Sequence, residues 1–426
     1  MKRYQSESWR DRSSRRIPGG AQTFSKGPLS FVQGVLPNFL ARAEGPYVWD
    51  VDGNKYIDYI LGLGPVILGH ADPAVNEAAR RQLADGIAFS LPHPIEVEVA
   101  EALCARIPCA EMVRFGKNGS DVTAAAVRVS RAFTGRDKVI RCGYHGWQDW
   151  YIGSTSRALG VPDAVRRLTL SCAYNNLEAM HEAFRANPGE IACVILEPAT
   201  FDEPAPGYLT GVKELCAREG ALLIFDEIVT GFRVAIGGAQ QLTGVTPDLA
   251  CFGKAMANGF PLSAIVGRAD VMRWFEKVFF SFTFGGDALS LAACLATIHE
   301  LERRDGIATL WRNGARLQEG TRQLIRDAKL EGSLDCAGMA PWTTLRTSGM
   351  TERGAMLFRS LFQQEAAKRG LLTHGNHMLS VAHDENVIDA TLAAYAEIMP
   401  IMADALRGGD VERRLEGEPM QTILRT

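Results

Sequence analysis

The chain has 426 residues, of which 46% are hydrophobic and 22% are charged, and its net charge is −3. A chain of this length can bury a large core without disulfide or metal staples. The slight acidic balance argues against a nucleic-acid-binding protein, which usually shows a basic excess. The 42 glycines exceed the average usage of about 7% and indicate tight turns and close approaches of backbone to a ligand.

The nine cysteines are odd in number, and no two of them have CxxC spacing. We therefore expect buried thiols in a reducing cytoplasm and no disulfide or metal site. The first 16 residues are rich in Arg and Lys, but no apolar segment follows them, which predicts an arm that packs on a partner and not a secretory signal. A transit peptide is the alternative. No apolar run approaches the about 20 residues of a membrane span, so we expect no membrane association.

The first predicted elements are a turn-rich arm and a β-hairpin over residues 47–57. Aromatic and β-branched residues alternate there around Asp52 and Gly53, which is the pattern of a hairpin turn. A helix is predicted from Ile95 to Arg106, where apolar residues recur at helical spacing.

Between about residues 110 and 268 the predicted helices and strands alternate. The helices are 121–134, 177–186 and 211–219, and the strands are 138–140, 192–196 and 221–225. The last two strands are continuously apolar, which is typical of strands covered on both faces of a largely parallel sheet. We predict an α/β domain with crossover helices. A helix over 288–302 should leave it, a smaller α+β domain should extend to about residue 406, and the last 20 residues should lie on the surface.

Polar residues follow the predicted strands at the edge where ligands collect in α/β sheets. Asp226 ends one strand, Glu197 follows another, and Lys254 comes 28 residues after Asp226, behind the apolar segment 249–252. Taken singly, each is more typical of a cap or a solvated loop residue than of a functional group.

Two further segments upstream favour a functional interpretation. Asn118, Gly119 and Ser120 stand at the start of a predicted helix, where backbone N–H groups and a hydroxyl can bind an anion; a plain Ser N-cap is the alternative. Tyr144 lies in a glycine-flanked loop and could stack on a flat ring, although ordinary packing is equally typical of such a residue.

Together these groups match the requirements of pyridoxal 5′-phosphate (PLP) chemistry. The aldehyde requires a desolvated lysine whose amine is nucleophilic. The ring nitrogen requires a carboxylate so that the ring can act as an electron sink. The phosphate requires fixed N–H donors.

At this point a resemblance becomes specific. The chain resembles the fold-type I, class III PLP-dependent aminotransferases, and within them the glutamate-1-semialdehyde aminomutase branch. The resemblance covers nearly the whole chain and rests on Gly119-Ser120-Asp121, Ala132-Phe133-Thr134-Gly135-Arg136, Tyr144-His145-Gly146, Asp226-Glu227-Ile228, Gly253-Lys254 and Phe282-Thr283-Phe284-Gly285-Gly286.

The resemblance implies an α/β fold with a mostly parallel seven-stranded sheet, helices on both of its faces, and a smaller α+β domain. The expected division is an N-terminal segment of arm and hairpin (1–55), a large PLP-binding domain (56–290) and a C-terminal small domain with a tail (291–426).

It also implies roles for the residues that match the family's motifs. Lys254 forms the Schiff base and moves the proton, and Asp226 pairs with the ring nitrogen. Tyr144 and Ile228 cover the two ring faces, and Asn118, Gly119 and Ser120 hold the phosphate. Thr283 reaches the phosphate of the neighbouring subunit of a homodimer, Glu197 lies near the cofactor or the substrate, and His145 lies near the cofactor. For His145 and Glu227 a packing role is the alternative.

The chain departs from the aminomutase branch at positions that would contact the substrate. Thr23 and Lys26 stand where that branch has a serine and a carboxylate-binding arginine, and lysine lacks the bidentate fork of arginine. Gly375 replaces a functional glutamate, in a segment that also carries His377. The loop after Tyr144 contains Trp147 and Trp150, which suits a sugar-like or cyclic polyol substrate; closure of the loop against the protein is the alternative. We take Lys26, Trp147, Glu197 and His377 as substrate-binding candidates.

The expected function is an aminotransferase that moves an amino group from an amino acid, L-glutamate first, to an aldehyde or ketone acceptor through PLP and its amine form in a ping-pong cycle. The alternatives are glutamate-1-semialdehyde 2,1-aminomutase activity and a catalytically silent PLP-fold binding protein. A nicotinamide-dependent Rossmann enzyme is disfavoured because no GxGxxG motif follows a strand.

Overall fold

The computed structural model describes residues 4–421. Lys2 and Arg3 of the basic arm, and the last five residues of the tail expected on the surface, lie outside this part of the chain. Among the described residues, no helix has both the length and the apolar character needed to cross a membrane.

The strands are β1 (Leu40–Glu44), β2 (Tyr47–Asp50), β3 (Lys55–Asp58), β4 (Met112–Gly116), β5 (Lys138–Cys142), β6 (Thr169–Ser171), β7 (Ile191–Leu196), β8 (Leu222–Asp226), β9 (Leu249–Phe252), β10 (Ser263–Gly267), β11 (Leu334–Met339), β12 (Trp342–Thr347), β13 (Leu371–Leu372) and β14 (Asn376–Met378).

The helices are α1 (Tyr4–Ser14), α2 (Pro73–Asp85), α3 (Pro94–Cys104), α4 (Gly119–Thr134), α5 (Asp149–Ile152), α6 (Asp163–Arg166), α7 (Leu177–Ala186), α8 (Tyr208–Glu219), α9 (Ala239–Thr243), α10 (Ala269–Met272), α11 (Ala288–Arg303), α12 (Gly306–Asp327), α13 (Glu352–Lys368) and α14 (Glu385–Gly408).

The larger unit, Gly64–Ile67 with Pro73–Ile307, is built on a seven-stranded sheet in the order β4-β10-β9-β8-β7-β5-β6. Strand β10 runs antiparallel to both of its neighbours, and the other neighbouring strands are parallel. Every residue of β7 and β8 is buried, as the continuous apolar runs predicted. The predicted fold class, an α/β fold-type I architecture with a mostly parallel seven-stranded sheet, is confirmed.

The predicted helices and strands of this unit are present with small shifts at their ends. Helix α4 begins two residues earlier than predicted, and α8 begins at Tyr208 instead of residue 211. Gly220 ends α8 in the left-handed conformation, with φ of 66°, which glycine adopts without the steric cost that a side chain imposes. The predicted hairpin is also present, as β2 and β3 pair antiparallel.

Within the described residues, the smaller unit consists of residues 4–63, 68–72 and 308–421. It contains the sheet β1-β2-β3-β13 and the antiparallel sheet β11-β12-β14. The described cysteines are all unpaired, and eight of the nine are buried, which matches the expectation of buried thiols.

The two units divide the chain at places that differ from the expected division at 55/56 and 290/291. The smaller unit extends to Leu63 and resumes at Ala308, so helix α11 belongs to the larger unit. The packing of α11 explains why this helix groups with the larger unit, because it contacts α2 and α3 of that unit. Nine of the 16 residues of α11 are buried.

His377 is fully buried in the smaller unit, and burial lowers the pKa of its imidazole to about 3. Since this pKa lies below the unfolded value near 6.5, stability present at neutral pH is lost as the pH falls below 6.5. At pH 5 one such histidine costs about 2 kcal/mol.

Between pH 7 and pH 5, we therefore expect the free energy of unfolding of His377→Gln to fall by about 2 kcal/mol less than that of the wild type. Urea unfolding at the two pH values measures this difference. The same substitution at the exposed His299 is the control and should leave the loss as in the wild type. Equal pH dependence in all three proteins would contradict the assignment.

Candidate active site

The carboxyl ends of the parallel strands bring the predicted residues to one edge of the large sheet. Strands β5, β7, β8 and β9 are parallel neighbours, so the residues that follow them emerge side by side. Strand β4 runs in the same direction, because both β4 and β9 are antiparallel to β10. Eight predicted site residues line one cavity of about 140 Å³: Gly119, Ser120, Tyr144, His145, Glu197, Asp226, Ile228 and Lys254.

Asp226, the last residue of β8, is buried and forms a hydrogen bond with His145. The distance from Asp226 Oδ2 to His145 Nδ1 is 2.7 Å, and His145 Nε2 lies 2.9 Å from the carbonyl oxygen of Cys142. Because a carbonyl oxygen only accepts, Nε2 carries a hydrogen. The contact with Nδ1 orients the buried carboxyl group of Asp226. Its other oxygen, Oδ1, accepts from Ile228 N at 3.1 Å and has a further lone pair for a ligand donor.

Lys254 follows β9 and begins a short 3-10 helix with φ of 44°. Burial lowers the pKa of its amine, while the carboxylates of Glu197 and Asp226 act in the opposite direction. A lysine with a lowered pKa has a larger neutral fraction, and the neutral amine is the nucleophilic form.

Glu197 follows β7 and accepts a hydrogen bond from Tyr144 N at 3.2 Å. Burial raises the pKa of this carboxyl, and the negative charge of Asp226 raises it further. The contact is close, since a Cβ at Gly143 would lie 2.4 Å from Glu197 Oε2. Only glycine fits at this position, whose φ is 95°.

The start of α4 is where the sequence predicts an anion site. Gly119 and Ser120 occupy its first two positions, where backbone N–H groups have no carbonyl partner within the helix. The Ser120 hydroxyl accepts from Trp147 N at 3.2 Å. The turn before the helix is held by Asp121, whose Oδ2 accepts from Asn118 N at 2.7 Å.

Two side chains stand beside the cavity where a flat ring would lie. Ile228 packs against Gly119 and Gly253, where an added Cβ would meet its side chain at 3.1 Å in each case. Tyr144 is half exposed and makes an edge contact with Tyr151, with ring centroids 5.4 Å apart.

Thr283 is apart from this cavity. It is exposed in the loop between α10 and α11. The three phenylalanines around it, Phe279, Phe282 and Phe284, are 77%, 37% and 59% exposed.

The substrate-binding candidates have different surroundings. Trp147 is 65% exposed, and its backbone N–H donates to the Ser120 hydroxyl. Trp150 is buried and stacked on His145, with ring centroids 6.2 Å apart. In the smaller unit, Lys26 is exposed and lines a cavity with His70 and Asp58. His377 lies in the core, with its ring nitrogens 2.8 Å from Thr343 Oγ1 and 2.6 Å from Tyr395 OH. A substrate contact of His377 stays a prediction.

Glu227 holds the neighbouring loop in place. The sequence alone did not decide between a role near the cofactor and a packing role for this residue. Its fully buried carboxylate accepts from the N–H groups of Ala239 and Gln240 at 2.7 and 2.9 Å and from the Thr230 hydroxyl. Burial raises its pKa to about 7. These contacts fix residues 227–240 and give Glu227 a packing role.

Comparison with known proteins identifies the family. The model of the family "Aminotransferase class-III" matches residues 31–399. The chain belongs to the class III aminotransferases. It is 36% identical to the glutamate-1-semialdehyde 2,1-aminomutase of Roseiflexus castenholzii, over 96% of this chain and 100% of the relative.

Two solved structures superpose closely on this chain. The FumI protein of Sphingopyxis sp. MTA144, in its PLP internal aldimine form, has a TM-score of 0.88 at 28% identity and covers 97% of this chain and 98% of its own. An omega-transaminase from Sphaerobacter thermophilus has a TM-score of 0.88 at 25% identity and covers 95% of this chain and 100% of its own. PLP is the cofactor of the class III aminotransferases, and the side chains of this cavity fit it: an amine, a buried carboxylate and an anion site line one space.

A substitution at Gly146 tests whether the Ser120 hydroxyl contributes to the predicted anion site of this class III aminotransferase. Its φ is 108°, and an added Cβ would lie 2.2 Å from Ser120 Oγ. We expect Gly146→Ala to displace that hydroxyl and weaken PLP binding by about tenfold or more, which is the cost of losing one hydrogen bond to a charged group. The measurement is PLP titration of the apo-protein.

Gly160→Ala is the matched control. Gly160 also has a positive φ, of 88°, but an added Cβ meets nothing within 4 Å. Both variants therefore bear the backbone strain of about 1–2 kcal/mol, and only Gly146→Ala displaces Ser120. Equal PLP affinities in the two variants would argue against a phosphate contact by Ser120.

Proposed function

We propose that the protein is a PLP-dependent aminotransferase that transfers an amino group from an amino acid, L-glutamate first, to an aldehyde or ketone acceptor in two half-reactions. The observation that carries the proposal is the arrangement at the sheet edge. The Lys254 amine, the buried pair of Asp226 and His145, and the anion site at the start of α4 line the same cavity.

Lys254 is the proposed catalytic base and acid. When bound, PLP supplies an electrophilic carbon and a ring that accepts electron density. Lys254 Nζ would hold that carbon, and its amine, once displaced by the amino donor, would accept the proton from the donor's carbon and later return it. Because burial lowers the pKa of Lys254, a larger fraction of its amine is neutral and able to accept a proton.

Asp226 and His145 are proposed to hold a proton on the ring nitrogen of the cofactor. A carboxylate at this position favours the protonated ring. The hydrogen bond from His145 fixes the carboxylate, and the contact of His145 with the Cys142 carbonyl fixes the imidazole in turn.

Asn118, Gly119 and Ser120 are proposed to bind the phosphate, and Tyr144 and Ile228 to cover the two faces of the ring. Glu197 is proposed to lie beside the reacting carbon or the substrate. The close packing of Gly119 and Gly253 on Ile228 supports a narrow slot of the kind that a flat ring requires.

A homodimer is part of the proposal. Thr283 and its three exposed phenylalanines form an apolar surface, and such surfaces are typical of protein interfaces. We infer that this loop covers a second copy of the chain and that Thr283 contacts the partner's phosphate.

The substrate class is proposed from the residues that differ from the aminomutase branch. Exposed Lys26 would bind an anionic group of the substrate, and Trp147 would stack on a sugar-like or cyclic polyol acceptor. His377 is the weakest of these assignments, because both of its ring nitrogens already have protein partners.

Glutamate-1-semialdehyde 2,1-aminomutase activity is the second candidate, since a relative with that name is 36% identical over 96% of this chain. The two activities use the same cofactor site and differ in whether the amino group leaves the molecule. A silent PLP-binding protein is the third candidate, but intact Lys254, Asp226 and Ser120 favour an enzyme.

The half-reactions separate these candidates. We expect L-glutamate or another amino acid to convert the bound cofactor to its amine form, seen as a change in its near-visible absorbance, and a carbonyl acceptor to restore it. Lys254→Ala is the control and should lose turnover by several orders of magnitude.

Formation of 5-aminolevulinate from glutamate-1-semialdehyde without an added donor would contradict the aminotransferase and support the aminomutase. Cofactor binding without conversion by any donor or by glutamate-1-semialdehyde would support the silent protein.

A further inference from the structure

A largely buried ion pair includes the residue that precedes the proposed phosphate site. The Lys117 ammonium contacts the Asp287 carboxylate, and the side chains are only 16% and 10% exposed. Lys117 precedes Asn118 in the chain, whereas Asp287 stands at the end of the loop that carries Thr283. A pair this far apart in sequence ties together two segments of the larger unit.

The backbone of Lys117 belongs to the proposed phosphate site. Its N–H donates to Asp121 Oδ2 at 3.1 Å, and this oxygen also accepts from Asn118 N at 2.7 Å. Any displacement of Lys117 therefore moves the turn that opens α4.

The side chain of Lys117 reaches two other segments. Its Nζ donates to the Pro261 carbonyl at 3.0 Å and to the Ser290 hydroxyl at 3.4 Å. Two residues after Pro261, the Ser263 hydroxyl donates to the Asn118 carbonyl at 2.9 Å. Lys117 thus joins the start of α4 to the segment that follows Lys254.

Asp287 connects the pair to the loop of Thr283. Its Oδ1 accepts from Ser290 N at 3.0 Å, which caps α11, and its backbone N–H donates to the Phe284 carbonyl at 3.4 Å. The carboxylate therefore fixes the beginning of α11, and the backbone of the same residue fixes the end of the loop.

We propose that Lys117 and Asp287 are a positioning pair that holds the phosphate site at the start of α4 in its binding geometry. The proposal rests on the assignment of Asn118, Gly119 and Ser120 as phosphate ligands. Neither side chain lines the cavity, so the pair acts through the backbone of residues 117–121. Removing one member leaves the other charged and buried without its partner. The turn formed by residues 117–121 then shifts.

The test compares PLP with pyridoxal, which lacks the phosphate. The measured quantity is the ratio of the pyridoxal dissociation constant to the PLP dissociation constant, obtained by titrating the apo-protein. We expect Asp287→Asn, which can still cap α11, and Lys117→Gln each to lower this ratio by about tenfold. The double variant, with a neutral pair, should recover to within about threefold of the wild type.

Glu302→Gln is the matched control, since it breaks the ion pair of Arg106 and Glu302 at 2.6 Å on the other side of the same unit. Its ratio should equal that of the wild type. Circular dichroism checks that each variant folds, and if Lys117→Gln does not fold, Asp287→Asn alone decides the comparison.

An unchanged ratio in Asp287→Asn would overturn the positioning pair. So would a double variant in which the decreases of the two single variants simply add. An equal decrease of the ratio in Glu302→Gln would overturn it as well. A wild-type protein that binds pyridoxal as tightly as PLP would contradict the phosphate site itself, and one that takes up no PLP would contradict the proposed function. These two results appear in the wild type and are thereby distinguished from a failure of the pair.

Discussion

The hydrogen bond between Asp226 and His145 is the contact on which the organisation of the site depends. A carboxylate buried at the end of a central strand is costly unless a hydrogen-bonding partner compensates for the water it loses. His145 fills this role at 2.7 Å, and its own orientation is set by the Cys142 carbonyl at the end of β5. The two strands, β5 and β8, are separated only by β7, so the parallel sheet itself sets the distance. The same edge places Glu197 between them and Lys254 beside them.

The close contacts at glycine positions complete this arrangement. Gly143 and Gly146 bracket Tyr144 and His145, and side chains there would collide with Glu197 and Ser120. The loop can therefore carry a half-exposed tyrosine and a buried histidine in adjacent positions. Part of the glycine excess of the chain thus has a physical cause, which is the approach of backbone to the functional groups on both sides of this loop.

The sequence predicted much of this because its strongest signals are local. Continuous apolar runs identified β7 and β8, and Gly220 marked the end of α8. The strand ends then identified Asp226, Glu197 and Lys254. Contacts between distant segments could not be predicted in this way. The partner of His145, the loop contacts of Glu227 and the pair of Lys117 with Asp287, 170 residues away, leave no periodic pattern. The packing of α11 on α2 likewise joins segments that are far apart in sequence. His377 was suggested only by its position in an alignment. No local sequence pattern reveals the contacts that it makes in the core.

Asp226, held by His145, is proposed to keep a proton on the ring nitrogen of the cofactor. Nitrogen NMR of the protein loaded with PLP labelled at the ring nitrogen reports that proton. We expect the chemical shift of a protonated ring nitrogen throughout the neutral pH range in the wild type, and that of an unprotonated nitrogen in Asp226→Asn. An unprotonated nitrogen in the wild type at neutral pH, or identical shifts in the two proteins, would contradict it.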